Sequence, residues 1–333
     1  MQPSQVAFRP RPQALRLVNT QTLSRESWLN VRKQGIGSSD AAAAVGLNPY
    51  LSPLELWMIK TGRDKDLPKP DPFDEASPIY WGSLLEPIVA RHYTKHTGRK
   101  VRRINAVLQH PDPDKSWMLA NLDYTVSGNE EVQILECKTA GFHGSFLWRD
   151  GVPEYIQLQV QHQLAVTGKE AADVCVLVCG QEIRIHRIER DDELIAKLVE
   201  LERQFWRYVE TDTPPPADGS ESAGKALRFL FPQDAGNTLD LSEDIHLSDA
   251  FADLLQVRQE VADKQEKEEV LKQRIQQRMG DASRAIFATG SVSWRKSKDS
   301  TTLDTARLLK EQPDLMQRYP LTRSGSRRFI VNS

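Results

Sequence analysis

No apolar run in this chain is long enough to cross a bilayer, and the N-terminus lacks the apolar stretch of a secretory signal, although Arg9, Arg11 and Arg16 stand there among prolines. A cytoplasmic protein, with no membrane partner, is the expectation. Cysteine is scarce: Cys137, Cys175 and Cys179 occur without any CxxC pair. That excludes zinc ribbons and iron–sulfur clusters, and leaves three thiols expected to be buried in a reducing compartment. Charge of one sign is also missing, since 333 residues carry a net charge of only −2. No internal repeat is present. A composition of 39% hydrophobic and 27% charged residues excludes disordered and fibrous classes and suffices for one sizeable core plus an appendage.

The charge is unevenly spread. Arg9, Arg11, Arg16, Arg25, Arg32 and Lys33 make the first forty residues basic, Arg91, Lys95, Arg99, Lys100, Arg102 and Arg103 cluster without an acid, and the tail adds Arg323, Arg327 and Arg328. Such patches either track a phosphate backbone or are solvated faces.

Along the chain, Arg25 to Lys33 reads as a short amphipathic helix. The GIGSSDAAAAVGLNPY stretch then allows a tight turn, a cap at Ser39 or Asp40 and a helix over Ala41 to Val45. Its N-terminus, with hydroxyls and free N–H groups, suits phosphate, and Arg32 stands just upstream. Helices are expected over Glu55–Thr61 and Ser83–His96, the second with Pro87 in its first turn and Glu86 near its start. Gly62 to Pro78 reads as an exposed loop. Strand runs are expected over Val101–Val107 and Trp117–Val126. Glu154 to Thr167 is a helix opened by Pro153, and its period places Gln159 and Gln163 on one face. A central strand over Ala172–Cys179, a partner over Glu182–Arg190 and a helix over Leu194–Val209 follow. The prolines at 214–216 break the chain. A long charged helix over Ala250–Met279 is compatible with a short coiled coil, interrupted by a polar stretch. Val292–Trp294 and Phe329–Val331 read as strands.

The segment ANLDYTVSGNEEVQILECKT, residues 120–139, carries the chemistry. Side chains two apart on a strand share a face, so Glu136 and Lys138 point together while Leu135 and Cys137 point away. Ser127-Gly128-Asn129 supplies a turn that folds Asp123 back beside them. Two carboxylates and an amine at one sheet edge suit Mg2+ or Mn2+ and hydrolysis of a phosphodiester, or else form an ordinary surface hairpin.

Four motifs in order, GIGSSDAAAAVGLNPYLSPLELW, WGSLLEPIVARHY, LD with LECKT, and YIQLQVQHQLAVTG, resemble the YqaJ-type viral recombinase nucleases, relatives of phage lambda exonuclease in the PD-(D/E)XK superfamily. The resemblance covers roughly Trp28 to Glu210, and the VSWR to RRFIV tail is similar to the extension of longer members. It implies an α/β fold with a restriction-endonuclease-like core, a central mixed sheet flanked by helices, followed by a C-terminal helical and small α+β extension. The implied division is a flexible basic leader over 1–24, a nuclease domain over 25–212, a linker over 213–245 and the extension over 246–333. The implied activity is Mg2+-dependent 5′ to 3′ digestion of linear double-stranded DNA, with Mn2+ as substitute. Asp123, Glu136 and the backbone carbonyl of Cys137 would hold the metal, and Lys138 would position or polarise the attacking water. Glu86 matches the family's helix glutamate, for a second metal or a metal-bound water. Gln159 matches its active-site glutamine, although Gln161 and Gln163 compete for that register. Arg32, Ser38 and Ser39 fall where similar enzymes hold the terminal 5′ phosphate. A single-strand annealing protein is the implied partner and a homotrimeric ring the implied assembly. A structure-specific endonuclease of the same fold and a non-catalytic DNA-end-binding protein are the alternatives.

Overall fold

The chain forms two units, Met1–Phe231 and Pro232–Ser333. The computed structural model describes residues 12–68, 71–129, 131–321 and 325–332, so Arg9, Arg11 and Arg323 of the basic clusters lie outside the described residues. The first unit begins β1 (Leu15–Asn19), α1 (Arg25–Lys33), β2 (Ile36–Gly37), α2 (Ala41–Ala44), α3 (Pro53–Lys60), α4 (Pro78–Thr97), β3 (Val101–Arg103), β4 (Ala106–Gln109) and β5 (Met118–Ala120). It continues with β6 (Tyr124–Val126), β7 (Ile134–Ala140), α5 (Glu154–Thr167), β8 (Ala171–Val178), β9 (Glu182–Glu189), α6 (Asp192–Glu210) and α7 (Glu221–Leu230).

The main sheet has the order β3-β6-β7-β8-β9, antiparallel except for β7 and β8, which run parallel through the α5 crossover. A smaller sheet, β1-β4-β5-β2, lies alongside. Alternation along β7 decides the faces: Leu135 and Cys137 pack with Val89, Ala90 and Tyr93 of α4, whereas Ile134 joins Ile156, Val160 and Leu164 of α5. The sheet is therefore a mixed one between helices, the expected α/β class. Glu136 and Lys138 fall on the α5 side.

Several boundaries differ from expectation. Each of the two long strand runs is cut into two short strands that serve different sheets, β3 and β4 from one, β5 and β6 from the other. Asn121 marks the second switch, its side-chain amide donating to the Ala106 carbonyl at 3.3 Å. The consequence is that Asp123 precedes β6 rather than lying in a ladder. Helix α4 starts at Pro78, capped by Ser77, so Pro87 lies deep inside it and Glu86 is not near a helix start. Ser77-Pro78 is the stronger start signal, because proline suits the first helical position and its missing N–H costs nothing there. At Pro87 the missing N–H does cost a helical bond.

The leader is not wholly flexible, since Leu15–Asn19 pairs antiparallel with β4. The stretch between 213 and 245 contains α7, which docks on α3: Ser222 Oγ donates to Glu55 Oε2 at 2.6 Å, and Lys225 pairs with the same carboxylate at 3.1 Å. Asp64 and Leu67 of the expected exposed loop are buried, Asp64 accepting from Lys33 at 2.8 Å. Cys137 and Cys175 are buried as expected, but Cys179 is exposed, with φ of 50° in the turn between β8 and β9.

The second unit holds α8 (Ile245–Met279), the hairpin of β10 (Arg284–Phe287) and β11 (Gly290–Ser293), α9 (Thr305–Glu311) and α10 (Leu315–Arg318). Phe329–Val331 does not form the expected strand: among the described residues it pairs with none, and Phe329 and Ile330 are exposed. No helix among the described residues is long and apolar enough to cross a membrane.

Candidate active site

Pairing between β6 and β7 ends at Tyr124 opposite Leu135. Beyond that point the β6 side of β7 is open, and Asp123 closes it with its side chain: Oδ2 accepts the Cys137 N–H at 2.8 Å. The N–H and C=O of one strand residue point the same way, so the Cys137 carbonyl also faces the Asp123 side. Asp123, Glu136 and this carbonyl thus offer hard oxygen atoms at the unpaired end of a central strand.

Glu136 is buried and fully engaged. Its Oε1 accepts from Gln159 Nε2 at 2.6 Å and pairs with Lys138 Nζ at 2.7 Å, while Oε2 accepts from Gln163 Nε2 at 2.8 Å. Gln159 also accepts from Lys138 Nζ at 3.0 Å, closing a triangle. Gln159 and Gln163 lie one helical turn apart, and both reach the β7 face. Gln161 points elsewhere, donating to the Glu189 carbonyl at 2.8 Å and accepting the Asp191 N–H at 3.1 Å. Among the described residues, Gln163 therefore joins Gln159 at the site and Gln161 does not.

Helix α5 is anchored from behind by the buried His162. Its Nε2 lies 2.9 Å from the Leu119 carbonyl and its Nδ1 2.7 Å from Glu202. A carbonyl only accepts, so Nε2 carries a proton. Burial lowers the imidazole's proton affinity, but Glu202 and the Leu119 carbonyl outweigh it and the net shift is upward.

The electrostatics are those of crowded acids. Burial, then the charge of Glu136, pushes the Asp123 carboxyl well above the usual carboxylate range, with Lys138 opposing and Glu86 adding to the rise. Burial works against the Lys138 ammonium, yet Glu136 and Asp123 overcome it, and its pKa is raised. Lys138 accordingly stays charged at neutral pH. Glu86 is drawn to Arg103, whose guanidinium also lies 3.3 Å from the Tyr124 hydroxyl and over its ring. Arg99 is likewise taken by Asp173 at 3.1 Å and by Glu131. The basic cluster over residues 91–103 is therefore partly neutralised.

Arg32 and Ser39 are brought together at 2.7 Å, with Ser38 buried beside them in a 3-10 turn, Ser38–Asp40. Asp40 stands at the N-cap position of α2, as expected, but its carboxylate is turned to other partners: Oδ1 takes Arg32 at 2.9 Å, and Oδ2 takes Lys60 at 2.6 Å and the Gly37 N–H at 3.1 Å. Burial opposes its ionisation, but the two cations and the N–H hold its carboxyl down at about 2. Lys60 carries no local sequence signal, being one more polar residue in a helix. Asp40 and Gln163 did carry one: an acid beside Arg32, and a glutamine four residues from Gln159. The two clusters share α5, whose Leu158 packs on Ala42 of α2.

Residues 27–170 match the family model of the YqaJ-like viral recombinase domain. Over 307 residues the chain is 35% identical to the uncharacterized protein YqaJ of Bacillus subtilis (strain 168), covering 91% of this chain and 92% of that protein. The chain belongs to the YqaJ family. Among solved structures it is similar to an alkaline exonuclease (LHK-Exo) from Laribacter hongkongensis, at a TM-score of 0.47 and 22% identity over 56% of this chain and 93% of that one. A phage-related exonuclease from Haemophilus somnus 129PT is similar over 54% of this chain and 96% of its own, at a TM-score of 0.37 and 12% identity. The stretch matched by the YqaJ family model contains Arg32, Ser39, Glu86, Asp123, Glu136, Lys138, Gln159 and Gln163. Both clusters thus lie within the family's defining segment.

Proposed function

We propose that this protein is a divalent-metal-dependent deoxyribonuclease that digests linear double-stranded DNA from its ends, 5′ to 3′, exposing 3′ single strands for recombination. The observation that carries the reading is the hydrogen-bonded set of Glu136, Lys138, Gln159 and Gln163 beside Asp123 at an open strand end.

The donor chemistry fits a hard cation such as Mg2+, with Mn2+ as substitute. Among the described residues, no three His, Cys, Asp or Glu side chains form a metal cluster. The fit rests instead on two carboxylates and the Cys137 carbonyl, and on the suppressed ionisation of Asp123, which burial causes first and the neighbouring Glu136 charge second. Asp123, Glu136 and the Cys137 carbonyl would hold the cation. When bound, it supplies positive charge against the scissile phosphate. Glu86 would join only by releasing Arg103.

The protein's own groups divide the remaining work. Lys138, charged and anchored by Glu136 and Gln159, donates hydrogen bonds and orients the attacking water; its raised pKa disfavours a role as proton acceptor. Gln159 links ammonium to carboxylate and fixes both. Gln163 holds the second Glu136 oxygen. Arg32 and Ser39, oriented by Asp40, would bind the terminal 5′ phosphate and so keep the reaction at ends.

The test compares linear duplex DNA with covalently closed circles, in Mg2+ and in EDTA, following 5′- and 3′-end labels. The reading requires metal-dependent loss of linear DNA, early release of the 5′ label and intact circles. Rapid nicking of circles favours the endonuclease, and binding without cleavage favours the end-binding protein.

A further inference from the structure

Helix α8 leaves its apolar surface almost unused. Over its 35 residues, about 52 Å of helix at 1.5 Å per residue, only Met279 is buried, and Phe251, Val257, Val261 and Leu271 are close to half exposed. The spacing is that of a coiled coil. Leu247, Leu254, Val261 and Ile275 share one position of the seven-residue repeat, and Phe251 and Met279 share the other inward position. Arg258, Gln265, Glu268 and Lys272 fill the remaining inward places, so apolar ends flank a polar middle.

That pattern selects one occupant and one direction: we propose that α8 pairs antiparallel with α8 of a second copy of this chain. A parallel pair would set Arg258 on Arg258 and Glu268 on Glu268 in the seam. The antiparallel pair sets Arg258 opposite Glu268 twice, by symmetry. The same register brings Phe251 opposite Ile275 and Val257 beside Leu271, while Leu247 reaches the end of the helix where Met279 is already covered within its own chain. No second register does all of this at once, because each of these contacts crosses at the same point near Asp263.

Charge along the helix agrees. Between Ile245 and Ala262 the acids Asp249, Asp253 and Glu260 outnumber the single base Arg258; between Val270 and Met279 only bases occur, Lys272, Arg274 and Arg278. Residues 263–269 between them carry both signs, and opposite directions lay the acidic first half along the stretch that ends in those three bases. That basic end also carries an open apolar cleft against the β10–β11 hairpin, lined by Leu271, Ile275, Met279, Ile286 and Phe287 with Arg274 and Arg278 at hand. Ile286 is 78% exposed, so the cleft has apolar surface to cover. Lys272 falls opposite Leu254, where its stem covers the leucine and its ammonium reaches the rim. Lys264 approaches its own copy at the crossing, at a solvated position where screening keeps the repulsion small.

The inference is independent of the nuclease reading. Sedimentation equilibrium of the full chain, wild type against Arg258→Glu, Glu268→Arg and the double exchange, tests it. Each single reversal should weaken self-association by about tenfold or more, and the double exchange should restore it. Direction is read separately in a Cys179→Ser background with a short bis-maleimide. Ala262→Cys should link to itself, and Ser248→Cys should link to Gln276→Cys on mixing but not to itself. A monomer at all concentrations, an assembly indifferent to both single reversals, or self-linking at residue 248 would overturn the proposal.

Discussion

Gln163 donates to Glu136 Oε2 at 2.8 Å from a position with no solvent exposure. With Gln159 on the other oxygen, the carboxylate is gripped from one helix face, and its two oxygens have different partners. Gln163→Ala should therefore lower the cleavage rate by roughly tenfold, about 1.4 kcal/mol, with the fold retained. Gln161→Ala should leave the rate unchanged and lower stability by about 1–3 kcal/mol, because it ties the end of β9 to α5. Single-turnover rates and denaturant melts of the two variants check the contrast; equal loss of rate in both would dissolve it.

Glu136→Gln replaces an acceptor by an amide that faces two amide donors and an ammonium. Cleavage should fall at least about a hundredfold, and stability should fall too, since a buried donor is left without an acceptor. Lys138→Ala should show the same loss of rate with a smaller effect on melting, because Lys138 is partly exposed. Retention of a tenth of wild-type rate in either would place these residues outside the chemistry.

Asp123 carries the pH dependence. Its carboxyl is raised, so the metal-free fold holds a proton that the unfolded chain releases, and stability falls as pH rises from the unfolded value through the raised one. A cation favours the ionised form, so its affinity should grow over the same window. In EDTA at neutral pH, Asp123→Asn should melt higher than wild type, yet lose the stabilisation that Mg2+ gives the wild-type protein. Thermal melts with and without Mg2+ across pH decide this, and a wild type whose metal-free stability rises with pH through that window would contradict it.

Arg32→Ala should erase much of the preference for 5′-phosphorylated over 5′-hydroxyl ends, at a cost of roughly 1.5–3 kcal/mol felt only with the phosphate. Asp40 keeps its pairing with Lys60 in that variant. Degradation rates of both end types measure it. A fall by the same factor on both would make Arg32 a general contact or a structural residue.

How far these features were legible follows from their range. The shared face of Glu136 and Lys138 is a two-residue periodicity, and α5 from Glu154 to Thr167 is bracketed by Pro153 and Gly168, so both were readable locally. The Gln159 and Gln163 pairing was half readable, because period gave the face but not what the face meets. The breaks at Ile104-Asn105 and Asn121 were hidden, since apolar runs do not show which sheet takes each half. Helix α7 was masked by the prolines before it, and its docking depends on Glu55 far away in sequence. Lys60 was invisible for the same reason, as its partner Asp40 lies across the fold.

The central claim is that Asp123, Glu136 and the Cys137 carbonyl hold one divalent cation. Crystals soaked in Mn2+ and measured at the manganese edge test it directly. The account predicts an anomalous peak within about 2.0–2.3 Å of all three oxygen ligands, absent from Asp123→Asn crystals soaked alike. A peak elsewhere in the domain, or none at this strand end in a protein that cleaves DNA, would contradict it.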